Sequence, residues 1–143
     1  KHLRVYGIPH IAIIRNPIDR FFSSSPFIKT MYGDDIQEAM EDEMLFFSML
    51  DNFPLSQSVN WFRPQVDFIT ENTNLWKFED GFGGDFDVWM SNVLDVPFKI
   101  REVEYERLEF TDESNKLKRT PKLIENIKKL CKKDFETFYP ELI

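Results

Sequence analysis

From Asp35 to about Leu50, the residues Ile36, Ala39, Met40, Met44, Phe47 and Leu50 recur at helical spacing, and DDIQEAMEDE puts acidic residues near the start of the run, where a helix dipole favours negative charge. The pattern predicts one helix with these apolar residues inward and the acids on a solvated face. Near the C-terminus, Thr120 stands where an N-cap belongs, before Pro121. Ile124, Ile127, Leu130, Cys131, Phe135 and Phe138 then make one apolar face of a helix ending near Pro140. Residues 9 to 14, PHIAII, have a different pattern: a short, continuous apolar run rich in β-branched side chains. It predicts a fully buried strand of a parallel sheet.

Pro17 suits the first turn of a helix, where a missing N–H costs nothing. That helix turns Phe21 and Phe22 inward, with Phe27 and Ile28 as further inward candidates, and Pro26 is expected to kink it or end it near Ser25. DNFPLSQSVN (51–60) is a loop by composition, and NWFRPQVDFIT turns from loop into a short strand around Val66 to Thr70. NLWKFED (74–80) alternates as another strand. DFDVWMSNVLD (85–95) makes a helix with Phe86, Trp89, Met90 and Val93 inward. PFKIREVEYERLEF fits a strand or an extended connection equally. Strands separated by helices point to an α/β fold with a parallel sheet, in one domain spanning 1–143.

Composition agrees with a packed core. Hydrophobic residues are 42% and charged residues 30% of the 143, and 15 of the aromatic residues are Phe, which argues against disorder. The net charge of −7 excludes a general binder of nucleic acid or acidic membrane, because such binding is driven by a basic surface. Any bound anion must therefore be held locally. The single cysteine, Cys131, excludes an internal disulfide and a cysteine-rich zinc site. No apolar run reaches the length of a membrane span, and KHLRVYGIPH does not resemble a signal peptide. The compartment stays open, with the cytoplasm favoured.

The chemistry gathers in IAIIRNPIDRFFSSS, residues 11–25. In an open parallel sheet, ligands sit beyond the carboxyl ends of the strands, where helix N-termini also present N–H groups. Arg15 stands at that end of its strand, and a guanidinium there can grip two phosphate oxygens in a planar fork. Ser23, about two helical turns beyond the turn at Asn16 and Pro17, offers a hydroxyl to the same group.

R-N-P-x-x-R-F-x-S at 15–23 resembles the 3′-phosphate motif of sulfotransferases that use 3′-phosphoadenosine 5′-phosphosulfate (PAPS), with the carbohydrate branch most similar. Three later segments resemble that branch too: R-P-Q at 63–65, K-F-E-D at 77–80, and K-K-D-F-E-T-F-Y at 132–139, which is similar to a closing D-F-x-x-F-x-Y signature. The resemblance implies a P-loop-type parallel sheet flanked by helices, with sulfuryl transfer from PAPS to a hydroxyl of a carbohydrate-type acceptor and no metal. It implies that Arg15 and Ser23 hold the donor's 3′-phosphate. Arg20 keeps two readings, a donor contact or a partner of Asp19 or Glu79 that fixes the loop. Lys118 and Arg119, in the one basic cluster NKLKRT, are candidate donor contacts or ordinary surface charges. Asn60, Arg63 and Gln65 are the candidates for the acceptor side, and Glu79 is a weak candidate for the base.

Two departures qualify the resemblance. The family's upstream phosphate loop has no counterpart, since KHLRVYG is too short to hold a strand, loop and helix, so the expectation is a domain truncated at its N-terminus or one that has lost the loop. The cationic clamp at the bridging oxygen would come from that loop, so this stretch alone would transfer sulfate poorly or not at all. The family's acceptor-side histidine aligns with Trp61, and His10, at the start of its strand, reads as structural. The rival readings are a non-catalytic relative that binds a nucleotide or a protein, and a plain α/β fragment that forms a homodimer through the apolar surface a missing first strand would expose.

Overall fold

The apolar run after Pro9 forms strand β1 (His10–Ile14), and Pro17 opens helix α1 (Pro17–Tyr32). In the computed structural model, which describes residues 7–52, 62–101 and 116–143, the chain continues with α2 (Ile36–Glu41), α3 (Glu43–Asn52) and a 3₁₀ turn at Gln65–Phe68. Strand β2 (Thr73–Lys77), a 3₁₀ turn at Phe78–Asp80, α4 (Gly84–Leu94), α5 (Pro121–Leu130), α6 (Lys132–Phe138) and a last turn at Pro140–Leu142 complete it. The fold is mixed α/β, mostly helical, with a small two-stranded parallel sheet. The described residues divide into two compact units. One holds those up to Arg15 and from Ile69 to Arg101, the other those from Asn16 to Phe68 and from Lys116 to Ile143.

In the first unit, β1 and β2 run parallel, with His10 opposite Thr73 and Ile14 opposite Lys77. Ile14 is buried, but Ile13 is 48% exposed, so the expected fully buried strand is corrected. With one neighbouring strand among the described residues, β1 keeps an open edge, although Trp76, the register partner of Ile13, is covered by α4. The inward face of α4 is the predicted one. Phe86 is 3% exposed and meets Trp76 and Trp89 at centroid distances of 5.3 and 5.8 Å, the edge and tilted geometries that ring quadrupoles prefer. Residues 98–101 form no regular element and are held by α4, whose Ser91 Oγ accepts the Phe98 N–H and whose Asp87 carboxylate accepts the Ile100 N–H.

The second unit is helical. Asn16 caps α1, its Oδ1 accepting the N–H groups of Ile18 at 2.9 Å and Asp19 at 3.5 Å. The helix does not end near Ser25 but continues through Pro26 to a C-cap at Gly33, whose φ of 83° suits glycine. Pro26 removes one backbone bond to Phe22, yet Pro26 itself and Ile28 beyond it are buried, and that packing outweighs the loss. The helix predicted over 35–50 is two helices. Asp42 takes an extended conformation (ψ 118°), and its carboxylate accepts the Leu45 N–H at 2.9 Å, so it caps α3. The break reorients the apolar face: Phe46 and Leu50 are buried, while Met44, expected inward, is 80% exposed.

Thr120 caps α5 as predicted, accepting the Leu123 N–H. The expected single C-terminal helix is divided at Cys131 into α5 and α6, but Ile127, Cys131, Phe135 and Phe138 remain on the buried side. The expected strand at 66–70 is a 3₁₀ turn at Gln65–Phe68. The core of this unit is aromatic at its centre, with Phe21 lying 5.4 Å from Phe62 and 6.3 Å from Phe46, centroid to centroid.

Among the described residues, Ser25 Oγ is buried and has no hydrogen-bond partner. Replacing an unsatisfied buried hydroxyl by a methyl group removes a desolvation penalty. Ser25→Ala is therefore expected to stabilise the chain by about 1 kcal/mol, read as a higher urea midpoint with an unchanged slope. A lower midpoint would show that the hydroxyl has a stabilising role.

Candidate functional site

Arg15 follows the last residue of β1, where the parallel strand ends, and its guanidinium carbon lies 4.5 Å from the centroid of the Phe78 ring. The flat cation rests on a ring face, and Phe78 begins the turn that follows β2. Glu79 lies in that same turn and is exposed. His10 is exposed at the other end of β1, and its carbonyl accepts from the Asn74 side chain at 3.2 Å. These are the sequence-derived candidates that fall in the first unit.

The second unit carries Ser23, Arg20, Arg63, Gln65, Lys118 and Arg119. Ser23 is exposed on α1 and donates its hydroxyl proton to the Arg20 carbonyl at 2.7 Å. Asp19, Phe22 and Ser23 share one face of the helix by their three- and four-residue spacing. Arg119 comes to that face: its Nη1 lies 2.9 Å from Asp19 Oδ1, and its guanidinium carbon 4.8 Å from the Phe22 centroid. Lys118 is held by its backbone, its N–H donating to Gln37 Oε1 at 2.8 Å and its carbonyl accepting from Gln37 Nε2 at 3.3 Å. Glu41 accepts from both Gln37 and Thr120, and those bonds hold its carboxyl below the usual range. Ser23 and the loop bearing Arg119 are thus brought together on one helix face.

A helix N-terminus usually presents its free amides to anions. In α1, Pro17 has no N–H and the Asn16 side chain occupies the amides of Ile18 and Asp19. An anion at this helix start would therefore have to be met by side chains.

Arg20 points elsewhere. Its Nη1 donates to the Arg63 carbonyl at 2.8 Å; burial pulls its pKa below the ordinary value, and the neighbouring Cys131 and Asp134 act against that pull. Asp134 is the centre of the arrangement, with a fully buried carboxylate on α6. Its Oδ2 accepts the Gln65 N–H at 2.8 Å and the Gln65 side-chain amide at 3.4 Å, while Oδ1 accepts the Val66 N–H at 2.9 Å. Gln65 is therefore turned inward. Arg63 is exposed, its Nε donating to Asp67 at 3.1 Å. Asn60 and Trp61 lie outside the described residues, and among those described no group of His, Cys, Asp and Glu side chains is arranged to hold a metal ion.

From the sequence, Asp134 is named only within the K-K-D-F-E-T-F-Y segment, and its role as a cap for the Gln65–Phe68 turn was missed. An acid set between positions that must face a core, directly before Phe135, was the available signal. The capping roles of Asn16 and Asp42 were missed as well, and only Asn16, directly before a proline, carried a local sign. Set beside family models, curated proteins and solved structures, the chain matches none.

Removing a buried carboxylate that satisfies the buried Gln65 N–H and the part-buried Val66 N–H strands those donors, so Asp134→Ala is expected to cost about 2 to 4 kcal/mol in urea unfolding. A loss within the range of surface substitutions would contradict the capping role. Burial, helped by Asp134, pushes the Cys131 thiol up to about 12, so at pH 8 the native chain should resist a disulfide reagent until it unfolds. An unfolded thiol ionises near pH 8.5 while the folded one stays protonated, so this group's share of stability is complete below about pH 8.5 and falls as pH rises toward the folded value. Cys131→Ala should remove that part of the alkaline slope, and an identical slope in the variant would count against it.

Proposed function

We propose that the chain is a P-loop-type sulfotransferase domain that binds PAPS and moves its sulfuryl group to a hydroxyl of a carbohydrate-type acceptor. The acceptor oxygen forms the new S–O bond as the S–O bond to the donor phosphate breaks, and the hydroxyl proton passes to a base, for which Glu79 is the candidate. The resemblance gives Arg15 and Ser23 to the donor's 3′-phosphate.

One observation carries the reading. Three of the four sequence segments behind the resemblance interlock in one unit: Arg20 of the first bonds the Arg63 carbonyl of the second, and Asp134 of the last caps the second at Gln65 and Val66. That Arg20, Arg63, Gln65 and Asp134 of these segments hold one another in place supports reading the segments together. Ser23 adds chemical support, because its bond to the Arg20 carbonyl is local and exposed. Exchanging it for a charge-assisted bond to a phosphate is favourable.

The test is a calorimetric titration of the intact chain with adenosine 3′,5′-bisphosphate. Binding is expected, weakened by about 1.5 to 3 kcal/mol in Arg15→Ala and by about 1 kcal/mol in Ser23→Ala. Absence of heat and of a thermal shift in the unaltered chain would end the nucleotide reading. Sulfate transfer from PAPS by the chain would exclude the non-catalytic relative.

A further inference from the structure

Beside the R-P-Q segment the second unit contains a cavity of about 370 Å³, a size typical of small-molecule clefts. Phe47, Leu50 and Leu130 give it an apolar wall, and Arg63, Asp67 and Asp51 give it polar groups. Arg63 is fixed from two directions, by its Nε bond to Asp67 and by the Phe68 ring, whose centroid is 4.9 Å from the guanidinium carbon. Its two terminal amino groups make no hydrogen bond among the described residues, and neither does the exposed Asp51 carboxylate.

The chemistry is that of a polyol site. Neighbouring sugar hydroxyls can accept from a preset guanidinium and donate to carboxylates, while the C–H face of the ring packs on Phe47 and Leu50. Charge narrows the class: two carboxylates against one guanidinium leave the lining net negative in a chain of net charge −7, which disfavours an anionic ligand. We infer that this cleft binds an uncharged saccharide rather than one bearing uronate or sulfate. The inference rests on the sulfotransferase reading for the saccharide's role as acceptor, but the binding itself is measured with no nucleotide present.

Saturation-transfer NMR on the intact chain, with lactose and N,N′-diacetylchitobiose as neutral probes and a hyaluronan disaccharide as the uronate probe, tests it. Transfer to the neutral disaccharides is expected, with about tenfold weaker affinity for the uronate. Arg63→Ala and Phe47→Ala should each remove the signal, and Asp51→Lys, at an exposed position with no partner among the described residues, should reverse the preference. No transfer to the neutral sugars, equal or tighter binding of the uronate, or a signal untouched by Arg63→Ala would overturn it. Bisphosphate binding with no saccharide signal would sink the cleft alone, and saccharide binding with no bisphosphate heat would sink the donor site alone.

Discussion

A carboxylate with no exposure to water has to be satisfied by the protein around it, and Asp134 sets that requirement for the second unit. Its two oxygens take the backbone donors at Gln65 and Val66, which fixes where the Phe62–Phe68 segment lies against α6. The same carboxylate acts on Arg20, and Arg20 reaches the Arg63 carbonyl. A displaced Asp134 would leave three groups short of partners at once, so the register of α6, the 3₁₀ turn and the first half of α1 are set together. This divides the R-P-Q segment in two. Gln65 is spent on structure, and the Arg63 side chain is left facing water.

Local signals in the sequence were reliable where the chain itself supplies the physics. Thr120 before Pro121 sets the start of α5 because the cap and the fixed proline φ act within four residues. Phe86 and its neighbours fell on the inward face of α4 because amphipathic spacing is a property of the segment alone. The misses share another cause. Val66–Thr70 has strand-like composition, yet a carboxylate from a helix nearly seventy residues on curls its beginning into a turn. Of the two local outcomes expected at Pro26, a kink or an end, the end does not occur, because burial of Ser25, Pro26 and Ile28 carries α1 past it. Asp42 looked like one more acid on a solvated face because nothing in DDIQEAMEDE distinguishes a cap from its neighbours; only the inward positions of Met40 and Phe46 force the break there.

The positions of the candidate residues were legible only in part. Arg15 at a strand end and Ser23 on an exposed helix face stand where the pattern put them. Gln65, assigned to the acceptor side, is held inward by a partner that no local reading reveals.

The acidity of the chain bears on what the proposed phosphate site would have to achieve. Arg119 already faces Asp19, and Arg63 faces Asp67, so an anion that recruits either guanidinium competes with a carboxylate held nearby at no translational cost. A singly charged ligand gains little from such an exchange. A terminal phosphate near neutral pH carries close to two charges and three acceptor oxygens, and can engage a guanidinium and a hydroxyl together where one carboxylate engages the guanidinium alone. With the α1 amides closed by Asn16, discrimination at the proposed phosphate site would rest on that difference in charge and acceptor number. The resident acids would then act as a filter against weaker anions, which suits a chain whose net charge is −7.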